Sequence, residues 1–303
     1  SVSRIYGKKI RHAPVDHVVR YVRESGGRYF IFHDDNIIGD RKYARELFTA
    51  LAKLRIRWVG QGSVSLAKYP DLMKLAYDSG CRALLFGVES VAAGGRRYPG
   101  KSFRHTDEIG EAIRAIRASG ILFHASLVFG FDEDEVSVFP ETLAFLIRNR
   151  VTTASFNILT PYPGTAIYES MKREGRLVTG DWRHYDTETV VYTPARMSPI
   201  ELHAGKIWIK RRFFSMQSIL RRLPDNMDCP LLYAIVSMGL RESARAEMKR
   251  FPEKARLLYG CSGEEAREKY RTLEKQLNSE YARMTSPESR LRNAPSDYSA
   301  LDN

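Results

Sequence analysis

The stretch TDEIGEAIRAIRASGILFHASLVFGFD, residues 106–132, decides how the chain folds. A helix opens near Thr106 and runs to Ser119, and Gly120 closes it in a left-handed conformation that a side chain would hinder. Leu122 to Phe129 follows as a short apolar strand, and the chain turns polar at once in Gly130-Phe131-Asp132.

The same helix-then-strand unit recurs on both sides. Pro14 opens a helix whose apolar face is Val15, Val18, Val19 and Val22; Gly26-Gly27 ends it, and Tyr29-Phe30-Ile31-Phe32 reads as a buried strand. Asp40 caps a second helix carrying Tyr43, Leu47, Leu51 and Leu54 at helical spacing, before the strand Ile56 to Val59. Pro70 to Ser79, then Gly80, leads into Ala83 to Phe86, and a helix through Leu143, Leu146 and Ile147 leads into Ala154 to Leu159. Five strands alternating with helices imply a parallel sheet, and the alternation permits either a doubly wound sheet or a (β/α) barrel. After Pro161 the alternation stops. Residues 181–194 read as an aromatic loop, Ser198-Pro199-Ile200-Glu201 forms a capping box, and the remainder reads as amphipathic helix to about Arg283.

The 303 residues are 43% hydrophobic with a mean hydropathy of −0.37, enough for one large core and with no apolar run long enough to span a bilayer. Cys81, Cys229 and Cys261 stand far apart, the pattern of buried thiols in a reducing cytoplasm. The net charge of +12 is spread widely, with short clusters at Lys210-Arg211-Arg212 and Arg221-Arg222 that read as solvated basic surface. Trp58, Phe86 and Phe129 read as core, and neither His33 nor His124 sits in a metal-ligand spacing; His124 reads as a core residue early in its strand.

Polar residues gather after the strands, at His33-Asp34-Asp35-Asn36, Gln61-Gly62-Ser63, Glu89-Ser90 and Gly130-Phe131-Asp132. Parallel strands bring their C-terminal ends to one face, so Asp34, Asp35, Gln61, Glu89 and Ser90 are expected around one cavity. Two bland alternatives compete: Asp34 and Asp35 as helix caps, and Glu89 as a surface ion pair with Arg96 or Arg97.

These same blocks carry a family resemblance. The run Ser1 to Arg11 resembles the segment directly after the CxxxCxxC motif of radical S-adenosylmethionine (SAM) proteins, more narrowly of the group with an upstream cobalamin-binding domain. Phe32 to Asn36, Trp58 to Ser63, Gly87 to Ser90, Phe129 to Asp132 and Leu159 to Thr165 match that group in order and spacing, over about residues 1–215. The resemblance implies a partial (β/α)6 TIM-like barrel over residues 1–180 lacking its first strand, with an exposed sheet edge in its place. The residues themselves read as a mostly helical extension over 181–285, and the tail over 286–303, which lacks apolar periodicity, is expected to be disordered. In the family a [4Fe–4S] cluster on three cysteines cleaves SAM to a 5′-deoxyadenosyl radical, and cobalamin assists methylation or rearrangement of an unactivated carbon. By resemblance, Asp34, Asp35 and Asn36 meet the SAM amino group, Glu89 and Ser90 its ribose or methionine part, Gln61 faces the same cavity, and the backbone of Gly130 approaches adenine.

One departure stands out. Cluster ligands must lie close together, and no cysteine triplet exists here. The expectation is therefore a chain whose cluster cysteines, first strand and cobalamin domain lie upstream of Ser1, with no transmembrane segment. Its partners would be a small-molecule substrate and a reducing electron donor. Arg211-Arg212-Phe213-Phe214 keeps an RNA-binding or RNA-modifying alternative open, a degenerate homologue is another, and Gly60-Gln61-Gly62 supports dinucleotide binding only weakly, since Ser65 stands where a third glycine belongs.

Overall fold

A computed structural model describes residues 7, 10–91, 106–224 and 230–286. Its centre is a five-stranded, all-parallel sheet in the sequential order β1-β2-β3-β4-β5, curled into a half-barrel. The strands are β1 (Tyr29–Ile31), β2 (Arg57–Gly62), β3 (Cys81–Glu89), β4 (Leu122–Phe129) and β5 (Thr153–Ile158). The intervening helices are α1 (Val15–Glu24), α2 (Arg41–Ala52), α3 (Pro70–Asp78), α4 (Thr106–Ala118) and α5 (Val138–Arg148). Each begins and ends close to the sequence signals. Asp40 caps α2 by accepting from the N–H groups of Lys42 and Tyr43, and Gly80, with φ of +101°, turns the chain out of α3. The barrel-type order of strands thus settles the choice that alternation had left open.

Side chains alternate across the sheet. Along β4, Phe123, Ala125, Leu127 and Phe129 are buried against the helices, while Leu122, His124, Ser126 and Val128 are only half-buried on the concave side. Trp58, Phe86 and Phe129 are 1%, 0% and 2% exposed, so the reading of these aromatics as core holds. Trp58 also donates its indole N–H to Ser79. The strand at Tyr29–Phe32 is not buried as expected. Tyr29 is 79% and Ile31 67% exposed, because β1 pairs only with β2 and its other edge has no neighbour among the described residues.

Beyond β5 no further strand follows among the described residues, so the alternation stops near Pro161 as expected, but one further helix was not anticipated: α6 (Ala166–Arg173), capped by the Thr165 hydroxyl. The rest is not uniformly amphipathic. The C-terminal helices are α7 (Pro199–Phe213), α8 (Met216–Arg221), α9 (Pro230–Leu258) and α10 (Gly263–Met284). Of these, α7 is buried on every side from Leu202 to Lys210, because it lies against α5 and β5 on one side and α9 and α10 on the other. Gly205 makes that approach possible, since a Cβ there would overlap the Phe139 ring of α5.

Four basic side chains are buried inside this arrangement. Lys206 and Lys210, one turn apart on α7, hold Glu247 of α9 at 2.6 and 2.9 Å, and Lys210 also donates to the Ser243 hydroxyl. Burial alone would raise the Glu247 carboxyl, but the two ammonium groups hold it below its ordinary value; Lys206 is pushed down by burial. His203 shares a hydrogen bond with the Tyr259 hydroxyl at 2.9 Å, and burial pushes it down to about 3. Arg222 is fully buried and donates to the carbonyls of Val151, Thr152 and Phe213, tying α8 to the entrance of β5.

Candidate functional site

The C-terminal ends of the strands carry the residues singled out in the sequence. After β1, the Asn36 side chain accepts from the Ser63 N–H at 3.1 Å, and Ile37 donates to the Gln61 carbonyl at 3.0 Å. Asn36 therefore ties the loop after β1 to the loop after β2, which leaves its amide N–H groups free of that tie. Asp34 and Asp35 are exposed. Neither caps α2, which Asp40 caps alone, and neither carboxylate has a hydrogen-bond partner among the described residues. The capping alternative for that pair is excluded.

Glu89 ends β3 in a conformation that few side chains adopt. Its φ is +65°, and Ser90 donates back to the Val88 carbonyl at 3.0 Å, closing a three-residue γ-turn of the rare positive-φ kind. Such a turn costs on the order of 1–3 kcal/mol and persists where its surroundings hold it. The Glu89 carboxylate folds back over Gly87, where an added Cβ would come within 2.8 Å of its oxygen. Glycine two residues before the glutamate is thus a condition of the carboxylate's position. Arg96 and Arg97, the suggested surface partners of Glu89, lie outside the described residues.

Gly130 needs to be glycine for a local reason. Its φ is +98°, and a Cβ would overlap the Tyr192 hydroxyl and Leu202. Its N–H donates to Asp134 at 2.9 Å and its carbonyl accepts from Tyr192. Both backbone groups are taken up inside the protein.

A cleft of about 420 Å³ on the concave side is lined by Ile31, His33, Val59, Gln61, Leu85 and His124, and closed by Tyr233 and Val236 of α9. Of the five residues expected around one cavity, only Gln61 lines it. Gln61 pairs with Leu85 in the sheet register, four residues before Glu89, which puts the two levels about 13 Å apart along the strand. Glu89 ends β3 and Ser90 follows it, and Asp34 and Asp35 follow β1, all at the C-terminal edge of the sheet. His124 is not packed away from this side: its ring shares hydrogen bonds with the hydroxyls of Thr153 and Ser155, both at 2.8 Å, and burial pushes it down to about 4. The polar inward ladder of His124, Ser126 and Asn157 was the sequence signal for this face, legible as alternate residues of β4 and β5.

The basic clusters divide: Arg211, Arg212 and Arg221 are exposed, as expected of solvated surface, while Lys210 and Arg222 are buried. Phe213 and Phe214 are 0% and 1% exposed, so the aromatic-basic run offers no ring for stacking on RNA bases. Cys81 and Cys261 are buried free thiols on β3 and just before α10, and Cys229 lies outside the described residues. Among the described residues no three His, Cys, Asp or Glu side chains converge on a metal position. The described residues do not fit an iron–sulfur cluster. No described helix is long and apolar enough to cross a membrane.

Comparison with known proteins gives a consistent picture. Bacteriochlorophyllide d C-12(1)-methyltransferase of Chlorobaculum tepidum is 30% identical over 225 residues, which is 72% of this chain and 49% of that protein. Hopanoid C-2 methylase of Rhodopseudomonas palustris is 25% identical over 54% of this chain and 32% of its own length. Among solved structures, the cobalamin-dependent S-adenosylmethionine radical enzyme OxsB, with aqua-cobalamin and S-adenosylmethionine bound, covers 92% of this chain and 52% of its own. The TM-score is 0.52 at 14% identity, a likeness of fold. No family model matches the sequence. The chain spans about half the length of the bacteriochlorophyllide methyltransferases it matches.

Proposed function

We propose that the chain is a radical SAM protein and, within it, the SAM-binding part of a cobalamin-dependent methyltransferase. The observation that carries this reading is the strained turn at Glu89, which fixes a carboxylate at the C-terminal rim of a parallel half-barrel in a chain whose relatives are methyltransferases. Glu89 and Ser90 would receive ribose hydroxyls or the methionine part of SAM, and Asp34 and Asp35, unpartnered among the described residues, its ammonium. SAM bound there supplies the methyl group. The chain's own residues bind it, orient it and keep water from it.

The cluster cysteines, a further strand along the free edge of β1 and the cobalamin site would lie in sequence beyond these 303 residues. Three separated cysteines, two of them buried in different elements, support this division. Reconstituted anaerobically with iron and sulfide, the 303-residue chain should show no [4Fe–4S] absorbance and yield no 5′-deoxyadenosine. A longer protein that adds a CxxxCxxC segment before Ser1 should gain both. There, Glu89→Ala should weaken SAM binding by about 1.5–3 kcal/mol while cluster absorbance stays intact. Unchanged SAM affinity would remove Glu89 from the site; cluster assembly by the short chain would overturn the division.

A further inference from the structure

The C-terminal helices form a second concavity that the methyltransferase reading does not use. It is a groove of about 480 Å³ between α9 and α10, closed at one end by the C-terminus of α7. Four cations line it, Arg211, Lys249, Arg267 and Arg271, against the single carboxylate of Glu274. Arg211 donates to the Tyr270 hydroxyl at 2.7 Å and reaches Glu274 at 3.5 Å, which orients its guanidinium at the α7 end of the groove. Arg271 meets Glu268 at 3.1 Å, an exposed pair of the kind that exchanges partners at little cost. Lys249 and Arg267 have no ion-pair or hydrogen-bond partner among the described residues.

Such a set is costly as it stands, since like charges gathered in a concavity repel one another. A multiply charged anion would relieve that repulsion. Arginine's planar fork matches phosphate oxygens in bidentate fashion, and three of the four cations are arginines. The wall formed by Met248 and Pro252 is apolar and leaves room for an organic group beside the charges. The size lies in the range of small-molecule sites.

We propose that this groove binds a ligand carrying two or more phosphate groups, separately from the strand-end site. The position on α9 and α10 makes the proposal independent of how the barrel acts. The test is a thermal shift and calorimetric titration of the full chain with inorganic pyrophosphate and with ATP, each against sodium chloride at matched ionic strength. Stabilisation beyond the chloride control is expected. The double variant Lys249→Ala, Arg267→Ala, at two exposed positions, should weaken binding at least tenfold. Arg250→Ala, beside Lys249 but outside the groove, should change nothing. Tighter binding of ATP than of pyrophosphate would identify a nucleotide, and equal binding the phosphates alone. A shift no larger than with chloride, or one that survives in the double variant, overturns the proposal.

Discussion

Replacing Glu247 by glutamine should be among the most destabilising single changes available in this chain. The carboxylate is 8% exposed and holds Lys206 Nζ at 2.6 Å and Lys210 Nζ at 2.9 Å. At an effective dielectric of about 20, each contact is worth about 6 kcal/mol of gross attraction. Most of that offsets the desolvation of three charges and the repulsion between the two lysines, so the net loss is smaller. Removing one partner of a buried pair typically costs about 3–5 kcal/mol, because the remaining charge is left uncompensated. That is a large share of a domain stability of about 5–15 kcal/mol. Urea unfolding at pH 7 should show a lowered midpoint with an unchanged slope. The loss should shrink as pH rises, since the stranded lysines then bind fewer protons in the folded state than in the unfolded one. Glu188→Gln, at a carboxylate 51% exposed and 3.8 Å from Lys210, should cost no more than about 1 kcal/mol. A loss under 1 kcal/mol for Glu247→Gln would refute the account of a buried, charged triad.

Two further outcomes follow from the same physical terms. His203 and His124 are held neutral in the fold, down to about 3 and about 4, whereas both charge near pH 6.5 when unfolded. Stability should therefore be flat above pH 7 and fall below 6.5, by about 1.4 kcal/mol per histidine by pH 5.5, and the double variant His124→Gln, His203→Gln should lose this slope. A pH-independent unfolding midpoint between 7.5 and 5.5 in the parent chain would contradict it. Gly87→Ala should displace the Glu89 carboxylate, which lies 2.8 Å from the new Cβ, and weaken SAM binding in the longer protein while unfolding free energy changes by less than about 1 kcal/mol. Wild-type affinity would mean that the carboxylate reaches its ligand from elsewhere.

The barrel was legible because its signals are local. Capping at Asp40, the helix end at Gly80 and the eight apolar-leaning residues of β4 each specify one element from a few neighbours in sequence. What stayed hidden depends on partners far along the chain. Lys206 and Lys210 look like surface charges until Glu247, 41 and 37 residues on, is placed between them. The exposure of Ile31 reflects an edge without a neighbour, which an apolar run cannot announce. The candidate site divides the same way. Polar residues after successive strands are legible as residues of the C-terminal edge of the sheet, but the depth separating Gln61 from Glu89 is a matter of register, and the turn at Glu89 is a matter of backbone conformation.

The central helix α7 also bears on how such proteins can be recombined. Because it shares its inner surface with β5 and α5 and its outer surface with α9 and α10, barrel and extension have no seam along which one can be lifted away. A chimera that grafts the extension of a relative onto this barrel would have to import α7 whole. It must also preserve a small residue opposite Phe139 and a guanidinium able to reach the carbonyls of Val151 and Thr152. Variation that alters what the helical end of the molecule meets is therefore confined to the outward faces of α9 and α10, where a substitution touches no strand.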